Sequence, residues 1–507
     1  MAFFIAFIYS NNKFTTSPLL LSLQIEMTNI SDKYETVIGL EIHAQLQTQT
    51  KLFCGDSIAF GAAPNTHISP ITLGHPGTLP KTNKVAVTYA IKMGLACNCK
   101  IERDNYFARK NYFYPDLPKG YQISQHTTPI CVGGYVTINT SSGQKNIELN
   151  RIHIEEDAGK SMHDLDEQFT CIDLNRAGTP LIEIVTEPCI HSSDEAFEYV
   201  SEVRRLVQWI GVCDGNMEEG SLRCDANISI RLKGATTLGT RVEVKNLNSI
   251  RNVKKAIEFE VQRMIEIVEN GGTITQQTRS FDASNDTTFS IRDKEDANDY
   301  RYFADPDLAP FHLTESFVED IRKDLPALPL QLIQQFQESF GLTEYDANNL
   351  CADKSTADYF LEVSKYSTQY KAIANWMLGP IKQQLNETAK DFSTLLLLPQ
   401  TLAELIAIVE AGKVNFSVAS SKILPELLNG NNSPLAIAEA MNLLQVSDTK
   451  ELESWIDEAL EGMPDKVAEY KRGKKGLIGL FVGEIKKISK GKADPKIVTT
   501  LLQEKLK

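Results

Sequence analysis

From about residue 33 to about residue 325, apolar and polar positions alternate in many short runs that are rich in β-branched residues and separated by Gly, Pro and Asn. A period of two marks strands with one buried face, so this stretch predicts a mixed α+β domain built mainly on antiparallel sheet. In residues 35–46, Ile38, Leu40, Ile42, Ala44 and Leu46 share one face, which places Glu41 and His43 together on the other. One clear helix interrupts the strands. Asn248 or Ser249 can cap it, Val253, Ile257, Val261, Met264, Ile265 and Val268 form its apolar stripe, and Gly271-Gly272 ends it. Beyond Pro326 the pattern turns helical, with Pro or Gly at the joints, and a second helical module starts near Pro434 after the turn-rich Gly430-Asn-Asn-Ser433. The expected organisation is an N-terminal extension (1–33), an α+β domain (34–325), a helical domain (326–430) and a small helical tail (431–507).

With 507 residues the chain exceeds what one hydrophobic core usually supports, which agrees with several domains. No apolar run is long enough to cross a bilayer, which argues against a membrane role. The nine cysteines are scattered and no secretory cleavage pattern precedes them, so they read as reduced thiols in a cytoplasm. Cys97-Asn98-Cys99 has no second pair at ligand spacing, and no structural zinc is expected. A formal charge of -14 excludes a protein that coats nucleic acid with its whole surface. Residues 471–507, however, hold eleven Lys or Arg against three acids, a net of +8. The apolar first 26 residues fit neither an organellar presequence nor a signal peptide, and a start at Met27 is the expectation.

The polar strand faces carry the candidate chemistry. Residues 223–232 place Arg223, Asp225, Asn227, Ser229 and Arg231 opposite an apolar face, and residues 241–245 do the same for Arg241, Glu243 and Lys245. Glu183 lies within an otherwise apolar run, where a charge demands a cation or hydrogen-bond partner; a buried salt bridge to Arg176 is the competing reading. Glu155-Glu156-Asp157 precede Gly159-Lys160-Ser161, whose ending imitates a phosphate-binding loop. The imitation fails because Ile154 stands where that loop needs glycine. An acidic cluster beside Lys160 remains, suited to metal-bridged phosphate. Residues 109–124 set Tyr112, Phe113, Tyr114 and Tyr121 among basic residues, either to stack a base or as a proline-tied structural loop. Carboxylates to hold Mg2+ and cations to neutralise phosphate are the mixture that phosphoryl transfer needs.

In this order, ETVIGLEIHAQL, RKNYFYPDLPKGYQIS, HIEEDAGKS, DLNRAGTPLIEIVTEP, MEEGSLRCDANIS, VEVKNLNS and DYRYFADPDLAP resemble the B subunits of the aspartyl/glutamyl-tRNA amidotransferases. The resemblance runs from about Tyr34 to the C-terminus, where KGLIGLFVGEIKKISKGKADP is similar to the family's tail. It implies a cradle-shaped catalytic domain, a helical domain and a tail that contacts tRNA. It also implies a reaction in which ATP phosphorylates the side-chain carboxylate of Glu-tRNA(Gln) or Asp-tRNA(Asn) and ammonia displaces the phosphate. The ammonia would come through a channel from a partner amidase, the A component of a heterotrimer that also holds a small C component. No G-x-S-x-G elbow or amidase signature is present in the chain, which fits that division of labour. Carried over by position, Glu41, His43, Glu183, Asp225, Glu243 and Lys245 are the implied catalytic residues, with Lys245 near phosphate or ammonia. His43, Glu156, Glu183 and Glu243 are the implied Mg2+ ligands, with Glu155 a rival to Glu156. Lys160, Arg223 and Tyr112 are the candidates for holding ATP. Only Cys54-Gly55 echoes the cysteine cluster with which some members bind zinc. The competing functions are a non-catalytic tRNA adaptor and a stand-alone ATP-dependent ligase.

Overall fold

The computed structural model describes residues 32–163, 165–293, 300–430, 433–445, 449–489 and 492–507. The expectations for Met27 and the segment before it lie outside the described residues. The chain divides into two compact units, one ending at Pro326 and the other beginning at Ala327.

Seven strands matter to the site: β1 (Tyr34–Gln45), β2 (Gly143–Glu156), β3 (Pro180–Thr186), β4 (Leu222–Leu232), β5 (Val242–Lys245), β6 (Gln277–Asp282) and β7 (Thr287–Asp293). They lie in the order β7-β6-β5-β4-β1-β3-β2 within a ten-stranded sheet that continues past β2 through Cys131–Val132 and Lys100–Ile101. The alternation in β1 follows the sequence pattern: Ile38, Leu40, Ile42 and Ala44 are fully buried, while Glu41 and His43 occupy the other face. On β4, Cys224, Ala226, Ile228 and Ile230 are buried, but Leu232 at the strand end is 60% exposed, beyond the reach of the core.

Pairing is antiparallel throughout these strands except between β5 and β6, which run parallel. A parallel pair needs a crossover, and the predicted helix supplies it. Three helices belong to this layer: α1 (Lys84–Ala96), α2 (Ser193–Trp209) and α3 (Ile250–Glu269). Ser249 caps α3 by accepting the Asn252 amide at 3.1 Å, while Asn248 turns to Asn246. The helix stops at Asn270, and Gly271 follows with φ +76, the left-handed turn that glycine adopts without strain. Val253, Ile257, Met264 and Ile265 are buried as expected, whereas Val261 and Val268 are only half-buried. Glu260 takes the inward place and is fully buried. Arg279 Nε reaches it at 2.9 Å and Arg263 at 2.7 Å, and Thr288 donates a further hydrogen bond.

From Ala327 onward the described residues are helical, from Pro329–Glu338 to Pro495–Lys505. The last helices, from Thr449, build a core of their own around Leu452, Ile456, Phe481, Ile485, Leu502 and Leu506. No helix among the described residues is long and apolar enough to cross a membrane.

Candidate active site

Five neighbouring strands, β5-β4-β1-β3-β2, keep one parity, so their charged side chains collect on one face of the sheet. His43 on β1 is the direct partner of Glu183 on β3 and of Arg223 on β4, and Glu183 is in turn the partner of His153 on β2. Two residues back along β1, Glu41 faces Asp225, and Asn227 faces Glu243 on β5.

Two groups result. In the first, His43 Nε2 lies 3.6 Å from Glu183 Oε2 and 3.7 Å from Glu155 Oε1. Behind them, His153 Nε2 lies 3.2 Å from Glu183 Oε2 and 3.6 Å from Glu155 Oε2. Burial works against protonating either imidazole, but the adjoining carboxylates overcome it: His43 is raised above its usual value, and His153 is pushed up to about 9. Burial would raise Glu183 as well, yet His153 and His43 hold it well below the usual carboxylate range. In the second group, Lys245 Nζ binds Asp225 Oδ2 at 2.5 Å and Glu243 Oε1 at 3.0 Å. Asn227 donates to Glu41 at 2.9 Å, and Thr278 donates to Glu243 at 2.9 Å. Burial raises the Glu41 carboxyl, and Glu183 and Asp225 raise it further. Within each of the sets His43/Glu155/Glu183 and Glu41/Asp225/Glu243, the donor atoms lie within 4.8 Å of one another.

The geometry corrects the expected ligand set in two places. Glu155, not Glu156, joins His43 and Glu183, because Glu156 shares the parity of Ile152 and Ile154 and points from the opposite face. There it accepts from Lys119 and, at 2.9 Å, from the Ile123 amide, lining a cavity of about 230 Å3 with Lys51, Cys54 and Arg109. Glu243 belongs with Asp225 and Lys245 instead of with His43. Glu183 is not paired with Arg176 either: the histidines are its partners, and Arg176 donates to the carbonyls of Ala158 and Gly159 at 3.0 and 2.6 Å.

The family model described as the GatB/GatE catalytic domain matches residues 36–319, over half of the chain, and a second, described as the GatB domain, matches residues 358–506. The chain is 48% identical over 477 residues to a Geotalea daltonii protein, covering 94% of this chain and 99% of the relative. It is 46% identical over 475 residues to a Thermodesulfovibrio yellowstonii protein, covering 94% and 100%. For a Persephonella marina protein the figures are 47% over 476 residues, with 94% and 100% covered. Each of the three is named as the B subunit of an aspartyl/glutamyl-tRNA(Asn/Gln) amidotransferase. The chain belongs to this amidotransferase B-subunit family. Both groups lie inside the segment matched to the GatB/GatE catalytic domain.

The family resemblance implies Mg2+, and the first group fits it: one imidazole and two carboxylates make an oxygen-rich donor set suited to a hard divalent cation. Arg223 stands beside this set, tied at 2.9 Å to Asp157, which also accepts from Gln45 at 2.7 Å. Burial would raise Asp157, but Arg223 and then Arg176 hold it below its usual value. The Tyr112 hydroxyl donates to Gln122 at 3.3 Å, and its ring meets Tyr114 and Tyr300 edge-on. Lys160 is not brought to either group, since it stands exposed on a separate two-stranded ribbon with Cys171–Asp173.

Two residues escaped the sequence reading. His153 precedes Glu155 by two positions, so the parity rule that pairs Glu41 with His43 would have found it. Lys110 lies on a different sheet, the strand Ala108–Asn111, where parity in β1–β5 says nothing about it. Its ammonium is 5.0 Å from the centre of the Tyr300 ring. Burial opposes its charge, but Glu155, Tyr302 and Glu183 raise its pKa.

Proposed function

We propose that the chain is the activating component of a cytoplasmic tRNA-dependent amidotransferase, a carbon–nitrogen ligase. It phosphorylates the side-chain carboxylate of Glu-tRNA(Gln), Asp-tRNA(Asn) or both at the expense of ATP. It then joins that carbonyl to ammonia released by a glutaminase partner, the amidase or A component, in a heterotrimer completed by a small C component. The products are Gln-tRNA(Gln) and Asn-tRNA(Asn). The observation that supports this best is the placing of two acidic groups and their cations side by side on one sheet face. A carboxylate reacts poorly with ammonia until one oxygen becomes a leaving group, so activation needs a site that tolerates dense negative charge.

His43, Glu155 and Glu183 would hold Mg2+ there, and the ion would supply charge neutralisation for the ATP phosphates. Lys245, already poised between Asp225 and Glu243, is placed to exchange a carboxylate partner for a phosphoryl oxygen. Arg223 keeps about a third of its side chain exposed while Asp157 fixes its direction, which suits it to orient a phosphate. Glu41, in the second group but on the same strand as His43, has a carboxylate that can take a proton from the ammonia as it adds.

The test is ATP- and Mg2+-dependent conversion of Glu-tRNA(Gln) to Gln-tRNA(Gln) by the chain co-expressed with its glutaminase partner, comparing wild type with Asp225→Asn. Asp225→Asn should abolish conversion while the partner still hydrolyses glutamine. Conversion at the wild-type rate would remove the activation chemistry from this face.

A further inference from the structure

We propose that His153 is the positioning residue of the first acidic group. It holds Glu183 and Glu155 from behind, so that Glu183 Oε2 and Glu155 Oε1 converge with His43 on one divalent cation; this rests on reading that face as a metal site. Two buried carboxylates side by side repel each other, and left alone they would swing apart or share a proton. Something must hold them together before a cation arrives. His153 is placed to do so, because strand pairing makes it the direct partner of Glu183, and two residues along the same strand Glu155 shares its face.

The two oxygens of Glu155 are divided between the imidazoles. Oε2 lies 3.6 Å from His153 Nε2 and accepts from Ser124 Oγ at 3.3 Å, whereas Oε1 lies 3.7 Å from His43 Nε2. Oε2 is therefore the anchored oxygen and Oε1 the presented one. Glu183 is fixed by the closest of these contacts, 3.2 Å from His153 Nε2 to its Oε2. Exposure separates the two histidines: the His43 side chain is 20% exposed and that of His153 is 5% exposed. His43 can meet a ligand, and His153 meets the carboxylates.

The other ring nitrogen gives the independent sign. His153 Nδ1 is buried with no hydrogen-bond partner among the described residues. An unsatisfied polar atom in a core is costly, and an aliphatic side chain would fill the same space without that cost. The histidine is kept for what Nε2 does. Outer partners that orient ligating groups commonly change metal affinity by about 10- to 100-fold when they are removed.

The experiment uses the full chain co-expressed with its partner subunits and Mn2+ as the probe, with free Mn2+ followed by electron paramagnetic resonance in the absence of ATP and tRNA. Glu183→Gln identifies the site as the Mn2+ that disappears. His153→Gln carries an amide nitrogen at the place of Nε2 and should keep most of the wild-type affinity. His153→Asn, whose amide ends near the place of Nδ1, should weaken Mn2+ binding by about 10- to 100-fold. His153→Leu should weaken it equally. Wild-type affinity in Leu or Asn, or equal losses in Gln and Asn, would overturn the proposal. A wild-type complex that binds no Mn2+ at this site would overturn it together with the metal reading. Failure of the complex to amidate, with the Mn2+ pattern intact, would overturn the reaction and leave the role of His153 standing.

Discussion

Single side chains on the sheet set the sharpest expectations. Glu155→Gln removes an oxygen presented to His43, whereas Glu156→Gln alters the Lys119 contact on the opposite face. Glu155→Gln should therefore raise the Mg2+ concentration needed for half-maximal amidation by about tenfold or more, and Glu156→Gln should leave that concentration unchanged. A magnesium titration of the two variants decides between them. Asp157 makes a prediction in pH. Its folded pKa is depressed by Arg223 and Arg176, so its stabilising contribution is complete above the unfolded carboxylate value of about 3.9 and is lost as pH falls through the lower folded value. Asp157→Asn should thus lower the unfolding midpoint at neutral pH, by about 2 kcal/mol of stability. The gap to wild type should close in acid below about pH 4. Thermal unfolding across pH measures it. Parity makes Glu41, His43, Asp225, Glu243 and Lys245 legible as pairs in the sequence. It does not say which strands become neighbours, and only the strand order sorts Glu243 with Asp225 and away from His43.

At the scale of elements, α3 shows what periodicity reveals and what it omits. Its stripe, its cap at Ser249 and its end before Gly271 can all be read from the chain. The inward place of Glu260 cannot, because its counter-charges come from Arg263 one turn on and from Arg279 on β6, across the crossover. The same distant pairing hides the one parallel contact that this sheet, expected to be mainly antiparallel, makes among the described residues. Glu260→Ala would leave Arg279 without its buried partner, and chemical denaturation should show a loss of about 3 kcal/mol. An unchanged midpoint would mean that the two arginines turn to solvent at no cost.

For the whole molecule, the basic end is a folded unit and cannot be trimmed as a loose arm. Phe481, Ile485, Leu502 and Leu506 share one core with Leu452 and Ile456, so a cut at residue 471 would expose the stump of that core. Reversing charge is the cleaner probe. Lys474, Lys475, Lys486 and Lys487 are exposed, and changing all four to Glu should raise KM for charged tRNA by about tenfold while glutamine hydrolysis by the partner stays as in wild type. A KM that does not move, measured at low salt where such contacts are strongest, would remove the tail from tRNA binding.

The neighbouring residues Glu155 and Glu156 place a constraint on how this gene can vary. They are adjacent in the chain, yet one serves the sheet face with His43 and the other serves the cavity with Lys119. Within β2, inserting or deleting one residue would exchange the two carboxylates between compartments and turn Ile152 and Ile154 onto the charged face. Length changes here can survive in steps of two, and a single-residue change only as a bulge, so single-residue gaps between related sequences should be rarer through this strand than in the turns on either side, which drift in length.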